Sequence, residues 1–307
     1  MHLSIGGAKM AKNRKIQKII KSIPTMEGAG VHLKRVFGFG KTSEFDPFLL
    51  LDDFRSTEPS HFMAGFPWHP HRGIETITYI LSGKIEHGDS LGNEGVIEPG
   101  DVQWMTAGSG IIHQEMPKGD DAGHMGGFQL WANLPASHKM MEPRYRDVKS
   151  EQIPEVSAKD GVKIKVISGQ VNGTQGPVQD IITNPAYLDV SVPAGIEYIH
   201  PTRPGDTVFA YVIAGKARFC PEIGACSYEV EGTSVANLDG TAGDGELVLF
   251  ADGEQIIVVT QTEPVRFLLL SGMPIREPVA WAGPIVMNTQ EELRIAFEEY
   301  RNGTFIK

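Results

Sequence analysis

Two parts of this chain repeat one another in strand-turn-strand form, and a duplicated unit of that kind leaves few folds open. The segment "TITYILSGKI" (Thr76 to Ile85) matches "VFAYVIAGKA" (Val208 to Ala217), with Tyr79 on Tyr211, Gly83 on Gly215 and Lys84 on Lys216. A second pair aligns without gaps and in the same order: "GDVQWMTAGSGIIHQE" (Gly100 to Glu115) against "GELVLFADGEQIIVVT" (Gly245 to Thr260). One such match is ordinary in any protein built of strands and turns. Two in the same order imply duplication.

The punctuation of the chain agrees. Thirty-five glycines and twenty prolines in 307 residues mark tight turns at a density that favours many short strands over long helices, and the fold class expected is all-β. An apolar content of 41% is enough to bury a core in each of two domains. The first domain is expected over 11–146 and the second over 150–288, joined at the charged, proline-bounded stretch "PRYRDVKSEQIP" (Pro143 to Pro154). At the far end, "NTQEELRIAFEEYRNG" predicts a helix within 289–307. Thr289 and Glu292 stand at capping-box spacing, Leu293, Ala296, Phe297 and Tyr300 share a face, and Gly303 is the stop.

Charge and cysteine content exclude several roles. A net charge of −10, with no Lys/Arg cluster interleaved with aromatics, argues against a direct nucleic-acid partner. No apolar run is long enough to span a membrane. The N-terminal "MHLSIGGAKMAKNRKIQKII" carries Lys12, Arg14, Lys15 and Lys18 but lacks the apolar block and cleavage site of a secretory signal, and Met10 offers an alternative start. Only Cys220 and Cys226 are present, too few for a disulfide framework and at no common zinc spacing, which places the chain in the cytoplasm.

The chemistry concentrates in the first unit. In "WHPHRGIETITYILSG" (Trp68 to Gly83), His69 and His71 are one residue apart, a spacing that on a strand puts both imidazoles on one face. The stretch "GSGIIHQEMP" repeats the device with His113 and Glu115. Ten histidines in a chain of this length supply about a third of one His-x-His pair by chance, and Pro70 interrupts strand bonding between the two. The repeat sharpens the test. It places Pro201 and Arg203 at the positions of His69 and His71, and Val258 and Thr260 at those of His113 and Glu115. Loss of all four together is what a lapsed metal site would leave. Three imidazoles and one carboxylate suit iron, nickel, copper, manganese or zinc, with Fe(II) the first choice and a purely structural zinc disfavoured by the lack of thiolates.

Glu75 competes with Glu115, since parity puts it on the face of His69 and His71; Glu115 is preferred as ligand, with Glu75 beside the site. Trp68, Trp104 and Met105 flank the ligand strands, either walling an aromatic pocket or packing the interior. His200 is expected in a loop, as are His61, His87, His124 and His138. Arg72 should point away from the ligands into an ion pair, and Asp52 and Asp53 should cap a turn.

These stretches, with "FDPFLLLDDF" (Phe45 to Phe54), "FPWHPHRGIET" (Phe66 to Thr76), "GDVQWMTAGSGIIHQEMP" (Gly100 to Pro117) and "QLWANLP" (Gln129 to Pro135), resemble the pirin family of the cupin superfamily. The resemblance covers most of the first half and is looser in the second. Seven residues separate Glu75 from Gly83 where general cupins have six, and Pro117 stands where an asparagine often closes the second motif; the pirin variant accounts for both. The resemblance implies two cupin-type β-barrels facing one another with a C-terminal helix, and one metal held in the first barrel by His69, His71, His113 and Glu115. It also implies two functions. Some pirins resemble quercetin 2,3-dioxygenase, opening a flavonol ring with O2, in which case Glu115 takes the 3-hydroxyl proton and the electron-rich anion meets O2. Others resemble non-enzymatic coregulators that bind a protein partner according to the oxidation state of their iron. A small enol or ketone substrate is a third reading, because the fold does not fix the substrate.

Overall fold

The computed structural model describes residues 11–221, 226–237 and 239–307; Met10, the alternative start, lies outside them. The repeat read from the sequence is real in three dimensions. Tyr79 pairs across its ladder with Val102, and Tyr211 with Leu247, the positions that the two alignments equate. Gly83 and Gly215 both sit at φ +69°. A Cβ there would lie 2.7 Å from the Lys118 carbonyl oxygen and 2.0 Å from that of Pro264, so both turns require glycine.

The first barrel combines two sheets. One has seven strands in the order Arg144–Val148, Val102–Thr106, Ile74–Ser82, Gly126–Asn133, Phe48–Asp53, Val31–Phe37 and Ile23–Glu27; the other has four, Phe66–His71, Ile111–Lys118, Lys84–Asp89 and Glu94–Ile97. Phe66–His71 is an edge strand, which is why it tolerates Pro70. The second barrel is one twelve-stranded sheet built around Thr207–Phe219. Strands dominate throughout, and no helix among the described residues is long and apolar enough to cross a membrane.

A single apolar cluster runs through both barrels, with Ile77, Tyr79 and Phe128 from the first packed among Tyr187, Phe209 and Leu268 of the second. Two buried hydrogen bonds cross this contact in reciprocal fashion. The Tyr79 hydroxyl donates to Asp189 Oδ2 at 2.7 Å, and its repeat-mate Tyr211 donates to Asp53 Oδ2 at 2.8 Å. Each aspartate also holds an arginine, Arg266 on Asp189 and Arg55 on Asp53. Asp53 therefore does two things: its Oδ1 caps the turn by accepting the Arg55 backbone N–H at 3.1 Å, and its Oδ2 binds the barrels together. Tyr211→Phe is expected to lower unfolding stability by about 1.5 kcal/mol, the low end for a hydrogen bond to a charged group because Arg55 remains, read as a shift in urea midpoint at unchanged slope.

At both ends the domain limits depart from the sequence reading. Strand Ile16–Lys21 belongs to the second barrel's sheet, antiparallel to Glu246–Phe250 and parallel to Cys226–Val230. In exchange, the hairpin Ala280–Ala282/Ile285–Met287 and the helix Gln290–Arg301 lie on the first barrel, where the Val286 N–H donates to the Arg72 carbonyl at 3.1 Å. The N-terminal strand is thus paired within the second sheet, whereas the C-terminal hairpin forms its own two-stranded sheet and joins the first barrel through a bridge between Ile285 and Arg72. The expected linker is likewise part of a sheet, since Arg144–Val148 pairs along Val102–Thr106.

The helix has the capping box that its sequence announces, Thr289 with Glu292. Leu293 and Ala296 are buried, but Tyr300 lies largely outside the core against Phe305. Arg72 is almost fully buried, paired with Glu299 at 2.7 Å, donating to the Phe305 carbonyl at 2.9 Å and lying over the Phe305 ring. This contact fastens the C-terminal segment to the strand that carries His69 and His71.

Candidate metal centre and its cleft

His69 and His71 leave the end of the edge strand, and strand pairing sets His113 opposite His69. The ring nitrogens that the three residues offer lie within 4.8 Å of one another. Tautomers follow from the partners. His69 Nδ1 lies 2.8 Å from the Pro67 carbonyl oxygen and His71 Nδ1 lies 3.1 Å from that of Pro284. A carbonyl only accepts, so each Nδ1 carries the proton and each Nε2 keeps its lone pair. The two Nε2 atoms face one another at 3.1 Å.

His113 is the informative member. Neither of its ring nitrogens has a hydrogen-bond partner although the residue is 1% exposed, and such orphans are costly unless something binds them. Burial first, then the neighbouring imidazoles, pushes His71 and His113 well below the ordinary histidine range. Both are therefore neutral, the form that can coordinate a metal. A convergent, neutral, partly unpartnered imidazole set fits a transition ion.

Neither carboxylate belongs to this group. Glu115 lies beside it, taking hydrogen bonds from Gln129 Nε2 at 3.1 Å and from Thr78 Oγ1 at 3.3 Å. Glu75 sits on the adjoining sheet, where Thr106 Oγ1 donates to it at 2.7 Å, and burial raises its pKa, favouring the protonated form.

His69 and His71 open on a cleft of about 590 Å³ walled mainly by apolar side chains, with His113 buried behind them. His69, His71, Glu115 and Trp68 line it, whereas Trp104 and Met105 do not. Trp104 packs at the contact between barrels and Met105 in a separate core cluster. The sequence reading missed the residues that shape the cleft most. Gln129 and Trp131 alternate on strand Gly126–Asn133, a period-two signal that was available. Trp281 and Pro284 come from the C-terminal hairpin, with no local signal at all. The ring of Trp131 meets His71 edge-on at 5.0 Å, Trp281 lies 5.9 Å beyond, and Phe39 another 5.7 Å from Trp281.

A profile described as Pirin matches residues 30–132, and one described as Pirin C-terminal cupin domain matches residues 187–306. A pirin-like protein of Caulobacter vibrioides is 42% identical over 293 residues, 95% of this chain and 99% of that protein. The chain belongs to the pirin family. Pirin of Homo sapiens is 40% identical over 296 residues, covering 95% of this chain and 94% of the human protein. Among solved structures, a quercetin 2,3-dioxygenase from Acinetobacter baumannii superposes with a TM-score of 0.81 at 27% identity, covering 95% of this chain and 98% of that one. The paired cupin-type barrels implied by the motifs are thus the fold.

Within this pirin-family architecture the second barrel corrects one step of the sequence reading. Strand Glu197–Pro201 pairs with Gln255–Val259 so that His200 faces Ile256 and Tyr198 faces Val258, as His71 faces Ile111 and His69 faces His113 in the first barrel. His200 therefore stands at the place of His71, and Tyr198 at that of His69. The connection to the next strand is longer here than Arg72–Gly73, and a gapless alignment slides past it. One of the four positions keeps its histidine. His200 is buried on a strand, not in a loop, with Nδ1 2.7 Å from the Tyr198 hydroxyl. His87 is also a buried strand residue, stacked on Tyr145.

Asp52 is a further correction. It lies in the cleft wall, held by Arg35 through Nε at 2.9 Å and Nη2 at 2.7 Å. Burial pushes its pKa up to about 6 against the pull of that arginine.

Proposed function

We propose that this chain is a metal-dependent dioxygenase that opens the ring of a quercetin-like flavonol with O2, its ion held by the convergent His69, His71 and His113, with Glu115, which stands beside them, as the fourth ligand. Fe(II) is the ion we assign first. The observation that carries the reading is the buried, unpartnered His113 set against His69 and His71, which line an apolar cleft. The kinship of fold with the Acinetobacter quercetin 2,3-dioxygenase supports it. When bound, a divalent transition ion supplies Lewis acidity toward a substrate oxygen.

The chain's own groups do the rest. Apolar walls exclude water and strengthen every electrostatic contact at the floor. Pro67 and Pro284 fix the imidazoles of His69 and His71 with Nε2 inward. Gln129 and Thr78 hold the Glu115 carboxylate at the cleft, where it accepts the proton of the flavonol 3-hydroxyl.

The test measures metal content and follows O2 uptake with quercetin. The Fe(II)-loaded protein is expected to consume O2, and Glu115→Ala to do so about 10²–10⁴-fold more slowly, as for loss of a general base. Loaded protein that takes up no O2 overturns the enzymatic reading and leaves the iron-dependent protein-binding module in its place.

A further inference from the structure

We propose that the cleft selects a flat, ring-bearing substrate with an oxygen substituent at the end remote from the reacting oxygen, and that Arg35 reads that substituent. The inference rests on the flavonol-type reading of the same site and narrows its substrate class.

One row of side chains crosses the sheet that floors the cleft. Thr78 stands opposite Gln129, Gln129 opposite Asp52, and Asp52 opposite Arg35. The near end of this row holds Glu115. Neighbouring strands lie about 4.8 Å apart, so Arg35 is roughly 10 Å from Gln129. On one side the row is flanked by Trp131 and Leu50, which oppose each other across the same strands. On the other side, Leu33 and Phe54 line the cleft. The floor is therefore a polar track between apolar banks, and the rings of Trp131, Trp281 and Phe39 continue one bank toward the mouth. Aromatic faces at those spacings favour a flat ring system. A small aliphatic enol bound at Glu115 would not reach the far end of the track.

Arg35 is equipped to bind something there. It gives Nε and Nη2 to Asp52 and Nη1 to Glu27, three of the five N–H donors of a guanidinium. Its side chain is 24% exposed and that of Glu27 is 41% exposed; both line the cleft. An aromatic hydroxyl accepts from the free guanidinium N–H and donates to the Glu27 carboxylate, so the pair recognises a phenol by both of its hydrogen-bonding roles.

The experiment titrates Fe(II)-loaded protein, without O2, with quercetin and with 3-hydroxyflavone, which shares the reacting 3-hydroxyketone but has no hydroxyl on either of its other two rings. Quenching of the cleft tryptophans reports Kd. Quercetin is expected to bind about tenfold or more tightly, the worth of one hydrogen bond to a charged group. Arg35→Gln should bring the two ligands to within about threefold by weakening quercetin alone. Because that variant strands Asp52, Glu27→Gln, which keeps the Arg35–Asp52 pair, is measured beside it and should also narrow the gap. Equal affinities in the wild type, or a preference that survives both variants, overturns the inference. A preference lost in the variants from a protein that takes up no O2 sustains it while discarding the oxidative reading.

Discussion

His113→Ala is expected to strip the protein of its metal. Loss of an outer partner of a ligand typically costs about 10–100-fold in metal affinity, and removal of an imidazole that has nothing else to bind should cost more. Metal analysis after gel filtration reads this directly. Thermal unfolding reads it a second way, because an ion that binds only the folded chain adds about 4 kcal/mol at a thousand times its Kd. Added Fe(II) should therefore raise the Tm of the wild type and leave that of His113→Ala where it was. A variant that retains stoichiometric metal would remove the triad from consideration as the site.

The second large effect is a pH dependence in the other barrel. Burial lowers the pKa of His200 to about 4, whereas an unfolded histidine titrates near 6.5. Between those values the unfolded chain takes up a proton that the folded chain refuses, so stability is full above about pH 6.5 and falls as the pH drops toward 4. The loss from this one group approaches about 3 kcal/mol. His71 and His113 are lowered as well, so the quantity to measure is the difference between wild type and His200→Phe in metal-free protein. The variant should lack this part of the acid sensitivity while carrying a constant offset for the partner lost by Tyr198. Parallel stability curves for the two proteins from pH 7 to 4 would show that His200 is not held neutral by the fold.

Much of the architecture was written in local patterns. The matched stretches around Tyr79 and Tyr211 determined two copies of one unit, and the shared φ of Gly83 and Gly215 shows that the same turn was being encoded twice. Spacing of two residues placed His69 beside His71, and spacing of three placed Thr289 on Glu292. Each of these relations lies within one strand or one turn of helix, where backbone periodicity alone fixes which side chains meet.

Where the sequence failed, the deciding contact was remote. The gapless alignment lost His200 because ladder register depends on the length of a connection, which a strand pattern does not encode. The partner that sets the His71 tautomer is 213 residues away at Pro284, and the bond from Tyr211 to Asp53 spans 158. By itself the sequence determined that this pirin-family chain is a duplicated β-protein with a histidine pair in its first half. Only the tertiary structure decided that the two ends exchange barrels, that Trp281 walls a cleft in the opposite unit, and that Arg35 stands two strands from Gln129. Periodicity propagates along a chain for a few residues, whereas closing a barrel joins segments by the fit of whole sheets.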